Sequence, residues 1–122
     1  GSVCECCHPS IVASGKSIHI LFRNSLKGNR DMYVVSSNDQ GETFDPGKQL
    51  GIQQWKLNAC PMDGGMLAIT PNGEVITAWG RAGPVFTSLG SSDPEEMLGN
   101  GEQPWIASNT NGTYVAWITK RD

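Results

Sequence analysis

Short apolar runs alternate along the chain with clusters of Gly, Pro, Asn, Asp and Ser. The runs last only five to eight residues, and no window keeps apolar residues at positions i, i+3, i+4 and i+7 for long enough to form a helix. Runs of this length between turn-forming residues are typical of strands. The pattern therefore predicts an all-β chain.

Three segments resemble one another: "PSIVASGKSIHILFR", "GGMLAITPNGEVITAWGR" and "QPWIASNTNGTYVAWITK". In chain order, their turn glycine and final aromatic residue are Gly15 and Phe22, Gly73 and Trp79, and Gly112 and Trp117. The glycines recur at intervals of 58 and 39 residues and the aromatic residues at 57 and 38, so both landmarks shift together. A period near 40 residues with about four strands per unit is typical of β-propeller blades.

The repeat predicts two and a half blades in a single partial propeller domain, residues 1–122. Blade 1 covers residues 9–50, blade 2 residues 60–103 and the half blade residues 104–122. The predicted strands are Ser10–Ala13, Ser17–Arg23, Asp31–Ser36 and a short strand from Phe44; then Met66–Thr70, Glu74–Trp79 and Val85–Leu89; then Trp105–Ser108 and Thr113–Thr119. The segment "GSSDPEEMLGNG" is expected to be a long turn.

Composition and charge narrow the classes of partner. With 122 residues, 38% of them apolar, the chain fits one globular domain. The net charge is −3 and the nine basic residues are scattered, so nucleic acid is not expected as a partner. No run reaches the ~20 apolar residues of a membrane helix, and Gly1-Ser2 resembles an expression scar. Four cysteines do not by themselves fix the redox compartment, although a disulfide would suit a secreted or periplasmic protein.

The stretch "SSNDQGETF" follows an apolar strand and fits the pattern SxDxGxTF through Ser37, Asp39, Gly41, Thr43 and Phe44. Asp and Ser side chains can satisfy turn N–H groups, and an aromatic residue can hold the turn against the sheet. This motif resembles the Asp-box, or BNR repeat, of sialidase-like β-propellers. The longer segments "FRNSLKGNRDMYVVSSNDQGETF" and "NACPMDGGMLAITPNGEVITAW" are similar to bacterial sialidase-like proteins that carry a cysteine cluster before the first such blade.

If the strands alternate in direction, the Asp-box lies on the face opposite the functional site of this fold. We therefore interpret the Asp-box as structural and not as a calcium or ligand site, and Ser92-Asp93 as a decayed copy without function. The opposite rim should collect the following residues: Cys4, Cys6, Cys7, His8, Arg23, Arg30, Asp31, Trp55, Cys60, Asp63 and Arg81.

The resemblance implies roles for part of this rim. In sialidases, arginines hold the carboxylate of the sugar, and an Asp acts as acid and base beside a Tyr/Glu nucleophile. Arg23, Arg30 and Arg81 are then candidates for binding an anionic substrate, Trp55 for stacking on a sugar ring, and Asp31 or Asp63 for the acid/base. No Tyr is well placed on the rim. In the alternative interpretation, Arg23 pairs with Arg30-Asp31 to brace a long loop, and Trp55 covers an edge of the core.

The cysteines allow three interpretations. Cys4, Cys7 and His8 form a CxxCH pattern, as in c-type haem attachment, although Cys6 interrupts it and a propeller loop lacks the helical wrap that haem usually receives. Cys4, Cys6, Cys7, His8 and Cys60 supply the donors of a Zn or Cu site. A disulfide from the N-terminal cluster to Cys60 is the third interpretation and the one we favour.

The remaining aromatic residues are expected in the core: Phe22, Trp79 and Trp117, joined by Trp105. His19 alternates with apolar residues and is expected to be a structural imidazole. Because two and a half blades cannot close a ring, we expect either a fragment of a longer propeller or a homo-oligomer. The leading function is binding, and in a complete propeller hydrolysis, of an anionic glycan. The alternative is a non-catalytic scaffold or binding module that assembles through propeller edges.

Overall fold

The computed structural model describes residues 3–51, 54–90 and 94–120, where the chain is all-β as predicted. The predicted Ser92-Asp93 copy and the Gly1-Ser2 scar lie outside these ranges. The first sheet contains β1 (Ser10–Ser14), β2 (Ser17–Arg23), β3 (Met32–Ser37) and β4 (Lys48–Gln49); the second contains β5 (Met66–Ile69), β6 (Val75–Gly80), β7 (Pro84–Leu89) and β8 (Glu96–Asn100); the third contains β9 (Glu102–Asn109) and β10 (Gly112–Ile118). A short 3₁₀ turn covers Leu26–Gly28.

Each strand pairs in an antiparallel fashion with the next strand of its sheet, so each sheet follows chain order, and none of the three closes on itself. Short Gly-containing turns make this possible because they reverse the chain within a few residues. In the described ranges there is no helix with the length and apolar character needed to cross a bilayer.

The three sheets are stacked in chain order through two apolar layers. Between the first and second sheets lie Leu21, Met32, Val34, Leu50, Leu67 and Trp79. Between the second and third sheets lie Ala68, Ala78 and Ile106, with Met66, Ile76 and Val115 packed against them. The first strands of the sheets are neighbours, since β1 packs against β5 and β5 against β9. This stacking brings the loops at one end of the strands together.

Two strand predictions need correction. The fourth strand of the first sheet does not start at Phe44 but covers only Lys48–Gln49. The strand starts later because of Asp45, whose Oδ1 accepts the N–H groups of Ser36 (3.1 Å) and Gly47 (3.0 Å). A side-chain oxygen therefore takes the place of a backbone carbonyl group at this edge of β3. The segment predicted as a long turn contains β8, which pairs with β7.

The glycines of that segment indicated a turn, but their role is close packing. The indole of Trp117 lies against Gly99 and donates from Nε1 to the Asn100 carbonyl oxygen at 3.0 Å. A Cβ at Gly101 would overlap the same indole. Glycine therefore leaves room for an aromatic ring on an extended strand.

The aromatic core predictions are confirmed only in part. Trp79 is 2% exposed, as expected, and Phe22 is half-buried with its ring stacked on Tyr33. Trp117 is also half-buried. The prediction for Trp105 is wrong, because this side chain is 65% exposed. Its neighbour Ile106 points into the core, and successive side chains of a strand point to opposite faces.

Candidate functional site

Four loops meet at one end of the sheets, and their described residues are 3–9, 24–31, 50–51 with 54–65, and 81–83. We call this region the rim. Backbone contacts join its loops, since the Cys4 N–H donates to the Arg23 carbonyl oxygen at 2.8 Å and the Arg30 N–H donates to the Trp55 carbonyl oxygen at 2.6 Å. Gly64 permits a further close approach, because a Cβ there would overlap the carbonyl oxygen of His8. The structure thus brings the predicted rim residues to the same end of the molecule.

Arg23 is the most deeply buried charged residue of the rim, at 1% exposure. Its Nε donates to the Asp63 carbonyl oxygen (2.8 Å), its Nη1 to that of Arg30 (2.7 Å) and its Nη2 to that of Gly80 (2.9 Å). Burial lowers the pKa of Arg23, an effect opposed by the nearby thiols of Cys7 and Cys4 and the carboxylate of Asp63. The guanidinium group therefore joins three backbone segments of the rim.

Arg30 and Asp31 also make structural contacts. Arg30 donates from Nε to the Leu57 carbonyl oxygen (3.3 Å) and approaches Cys4 Sγ with Nη1 (3.6 Å). Asp31 is 6% exposed, and its Oδ1 accepts the Trp55 N–H at 2.8 Å. The alternative interpretation, in which Arg23 pairs with Arg30-Asp31 to brace a long loop, needs one correction. Within the described residues Asp31 forms no ion pair with either arginine, and it holds the loop by accepting a backbone N–H group.

Asp63 and Arg81 lie on the second sheet's side of the rim. The Oδ2 of Asp63 accepts the Gln103 N–H at 2.8 Å, and the residue is 6% exposed. Arg81 forms an ion pair with Glu95 at 2.6 Å and lies over the Phe86 ring at 4.1 Å from its centroid. Sequence reasoning missed Glu95 because it lies in the segment predicted as a turn.

Trp55 borders an open groove of about 310 Å³. The ring is half-buried, and the guanidinium carbon of Arg23 lies 5.4 Å from its centroid. The lining also includes Arg81 and Lys120. Lys120 pairs with Glu102 at 3.1 Å but remains 78% exposed. The groove therefore combines an aromatic surface with two cationic side chains and two carboxylates, those of Asp63 and Glu102.

The four cysteines form one cluster at the rim. Cys6 and Cys60 form a disulfide, as predicted for the N-terminal cluster and Cys60, while Cys4 and Cys7 are buried free thiols. The Sγ of Cys4 lies 3.2 Å from that of Cys7 and 3.5 Å from that of Cys6. All four Sγ atoms lie within 4.8 Å of one another. We call this group the cysteine cluster.

His8 is not part of the cysteine cluster; among the described residues, only the four sulfur atoms come together there. The side chain of His8 is exposed. Of the residues in the CxxCH pattern, Cys4 and Cys7 are therefore in direct contact, whereas His8 lies outside the cluster.

The two free thiols have different electrostatic environments. Burial raises the pKa of Cys4, but hydrogen bonds from Cys7 and the Cys6 backbone, together with Arg30 and Arg23, shift it below its usual value. Burial and the hydrogen bond to Cys4 raise the pKa of Cys7. Cys4 is therefore the more acidic member of the contacting pair.

The SxDxGxTF segment, Ser37–Phe44, folds as a self-contained turn away from the rim. Ser37 Oγ accepts the Gly41 N–H at 2.9 Å, and Asp39 accepts the Thr43 N–H at 2.9 Å as well as the Thr43 hydroxyl. The Thr43 hydroxyl first, then the Thr43 N–H and the Ser37 hydroxyl, which donates to Asp39 Oδ1 at 2.7 Å, lower the pKa of Asp39 to about 2. Phe44 lies near Gly41 but is 42% exposed.

His19 is half-buried on β2, and its Nδ1 lies 2.7 Å from Ser36 Oγ, in line with a structural imidazole. Burial lowers the pKa of His19, and Asp45 opposes this shift. The side chain therefore has a polar partner within its own sheet.

Comparison with family models, with curated proteins and with solved structures finds no match for this chain.

Proposed function

We propose that this chain is a segment of a sialidase-like β-propeller and acts as a non-catalytic scaffold that holds the rim loops together. The stacking of the sheets supports the propeller assignment. Two four-stranded meanders follow each other, and the first strands β1, β5 and β9 are neighbours, as the inner strands of successive blades would be.

The contacts of Arg23 carry the non-catalytic assignment. A clamp for a substrate carboxylate needs a guanidinium fork that is free to bind it bidentately. Arg23 is 1% exposed and donates to three backbone carbonyl groups. The candidate acid/base residues Asp31 and Asp63 likewise accept backbone N–H groups. These side chains support a structural role more than a hydrolytic one.

The test is an assay for hydrolysis of a fluorogenic sialoside combined with unfolding of the Asp31→Asn and Asp63→Asn variants. We expect no turnover by any of the three proteins and a lower unfolding midpoint for both variants. Turnover by the wild type that either substitution abolishes, with the midpoint unchanged, would refute the scaffold assignment.

A second candidate function is binding of an anionic carbohydrate, and the groove beside Trp55 favours it. A tryptophan face can stack on a sugar ring, and Lys120, which is 78% exposed and held only by an exposed pair with Glu102, can attract a carboxylate. Titration with sialic acid should quench tryptophan fluorescence in the wild type and not in Trp55→Phe. Trp105→Phe is the matched control, because Trp105 is exposed on the third sheet outside the groove.

We also propose that the outer face of the third sheet packs against another sheet, supplied by a second copy of the chain. Trp105, Tyr114 and Ile118 are each more than half exposed on this face. The chain exposes 7439 Å², whereas a compact monomer of this mass should expose about 6,400 Å². The excess is comparable to the ~800 Å² that each partner buries in a standard interface. Light scattering should give a mass above that of one chain, and Trp105→Lys should return it to the monomer value.

A further inference from the structure

The cysteine cluster has the donor set of a metal site. All four Sγ atoms lie within 4.8 Å of one another. In a tetrahedral zinc site with Zn–S bonds of ~2.3 Å, neighbouring sulfur atoms are about 3.8 Å apart. Cys4 Sγ lies 3.2 Å from Cys7 Sγ and 3.5 Å from Cys6 Sγ. Shifts of about 0.3–0.6 Å would bring these two pairs to the spacing around one ion, whereas Cys6 and Cys60 reach it only after their disulfide is broken.

The surroundings of the cluster favour negative charge. Four thiolates around a divalent ion carry a net charge of −2, which needs compensation on the buried side of the cluster, at Cys4 and Cys7. Arg30 Nη1 lies 3.6 Å from Cys4 Sγ, and the buried guanidinium of Arg23 interacts with Cys7. Both arginines are held by backbone carbonyl groups, so the cationic environment is fixed in place.

Two of the four cysteines are buried and two are exposed, so a metal ion can reach the cluster from solvent. Cys4 and Cys7 are buried at 1% and 7% exposure. Cys6 and Cys60 are exposed, and they form the disulfide. An ion can approach from the exposed pair, and a reductant can reach the same sulfur atoms.

We propose that reduction of the Cys6–Cys60 disulfide converts the cysteine cluster into a four-thiolate site for a single thiophilic metal ion, with Zn²⁺ as the ion. A dithiol reductant supplies two electrons and two protons, the S–S bond breaks into two thiols, and the reductant becomes a disulfide. Binding of Zn²⁺ then displaces the thiol protons into solvent. The proposal depends on the cluster alone and holds whether or not the groove binds carbohydrate.

The test is zinc binding to the whole chain in the oxidised state and after reduction with a phosphine, which does not compete for the ion. We expect saturable uptake of one Zn²⁺ per reduced chain and no uptake by the oxidised chain. Co²⁺ in place of zinc should give the charge-transfer and ligand-field bands of tetrahedral thiolate coordination. Circular dichroism of the same samples reports the fold.

The variants Cys4→Ser, Cys7→Ser and Cys60→Ser test the ligand set, and His8→Ala is the matched control. Loss of outer contacts of a metal site already costs about 10–100-fold in affinity, so each cysteine substitution should cost at least as much. His8→Ala should bind zinc like the wild type, because His8 lies outside the cluster. Absence of saturable uptake by the reduced chain, whether folded or unfolded, would overturn the proposal. So would a cobalt spectrum that the cysteine substitutions leave unchanged.

Discussion

Replacing Arg23 by Met tests whether the buried guanidinium is a structural staple. The substitution keeps an unbranched apolar stem but removes the donors to the carbonyl oxygens of Asp63, Arg30 and Gly80. Hydrogen bonds from a charged donor contribute about 1.5–3 kcal/mol each, so three contribute about 5–9 kcal/mol. The Met variant no longer has the desolvation cost of a buried cation, and this offsets several kcal/mol of the lost hydrogen-bond energy. We expect a net loss of about 3–5 kcal/mol, a large fraction of the ~5–15 kcal/mol by which a typical domain is stable.

The measurement is urea unfolding followed by tryptophan fluorescence, with Lys120→Met as control. Lys120 forms an exposed pair with Glu102, and such pairs contribute about 1 kcal/mol or less. Arg23→Lys should behave like Arg23→Met, because one ammonium group cannot reproduce a three-way fork. The structural argument is refuted if the free energy of unfolding of Arg23→Met lies within about 1 kcal/mol of the wild-type value while the variant loses affinity for sialic acid. Arg23 would then be a substrate ligand.

Three further predictions follow from individual contacts. The folded-state pKa of Asp39, about 2, lies below the 3.8 of an unperturbed Asp, so the stability it contributes is present above pH 3.8 and is lost as the pH falls through about 2. In acid-range denaturation, Asp39→Asn should therefore show a weaker pH dependence than the wild type. Gly64→Ala should lower the free energy of unfolding by about 1–3 kcal/mol, because the added methyl group overlaps His8. Leu21→Ala should lower the free energy of unfolding by about 2–5 kcal/mol, because Leu21 is fully buried. Ile11→Ala is the matched control: at a 65% exposed position it should change the free energy of unfolding by less than about 0.5 kcal/mol in the same denaturation assay.

Most of the strands were predictable because their signal is local. The prediction for β2, Ser17–Arg23, matches the structure at both ends, and the hairpin glycines marked the reversals. β8 was missed because Gly99 and Gly101 normally signal a turn. Here their missing side chains make room for Trp117, a contact between two sheets that no local pattern contains.

The candidate site was predictable in most of its membership but not in its contacts, and His8 lies outside the cysteine cluster to which it was assigned. Alternating strand direction was enough to place Arg23, Asp63 and Cys60 at one rim. Whether a rim arginine faces a ligand or a carbonyl group depends on the exact approach of distant loops. The structure decides this for Arg23, which contacts Asp63 and Gly80 from the second half of the chain. Glu95, the partner of Arg81, likewise had no sequence signal, because this ion pair depends on how two separate segments meet.

The cysteine cluster and Arg23 both join the first part of the chain to the loop that precedes β5, through the Cys6–Cys60 disulfide and the Arg23–Asp63 hydrogen bond. We call this contact the junction. The Cys6–Cys60 disulfide links positions 54 residues apart, and closing a loop of that length should stabilise the chain by about 4 kcal/mol. A zinc ion bound by Cys6 and Cys60 would close the same loop, so it can replace the disulfide without altering the junction that Arg23 fixes. Reduction without metal should then lower the stability by about that amount, and zinc should restore it. If zinc binds but restores none of it, the ion does not close the loop between Cys6 and Cys60.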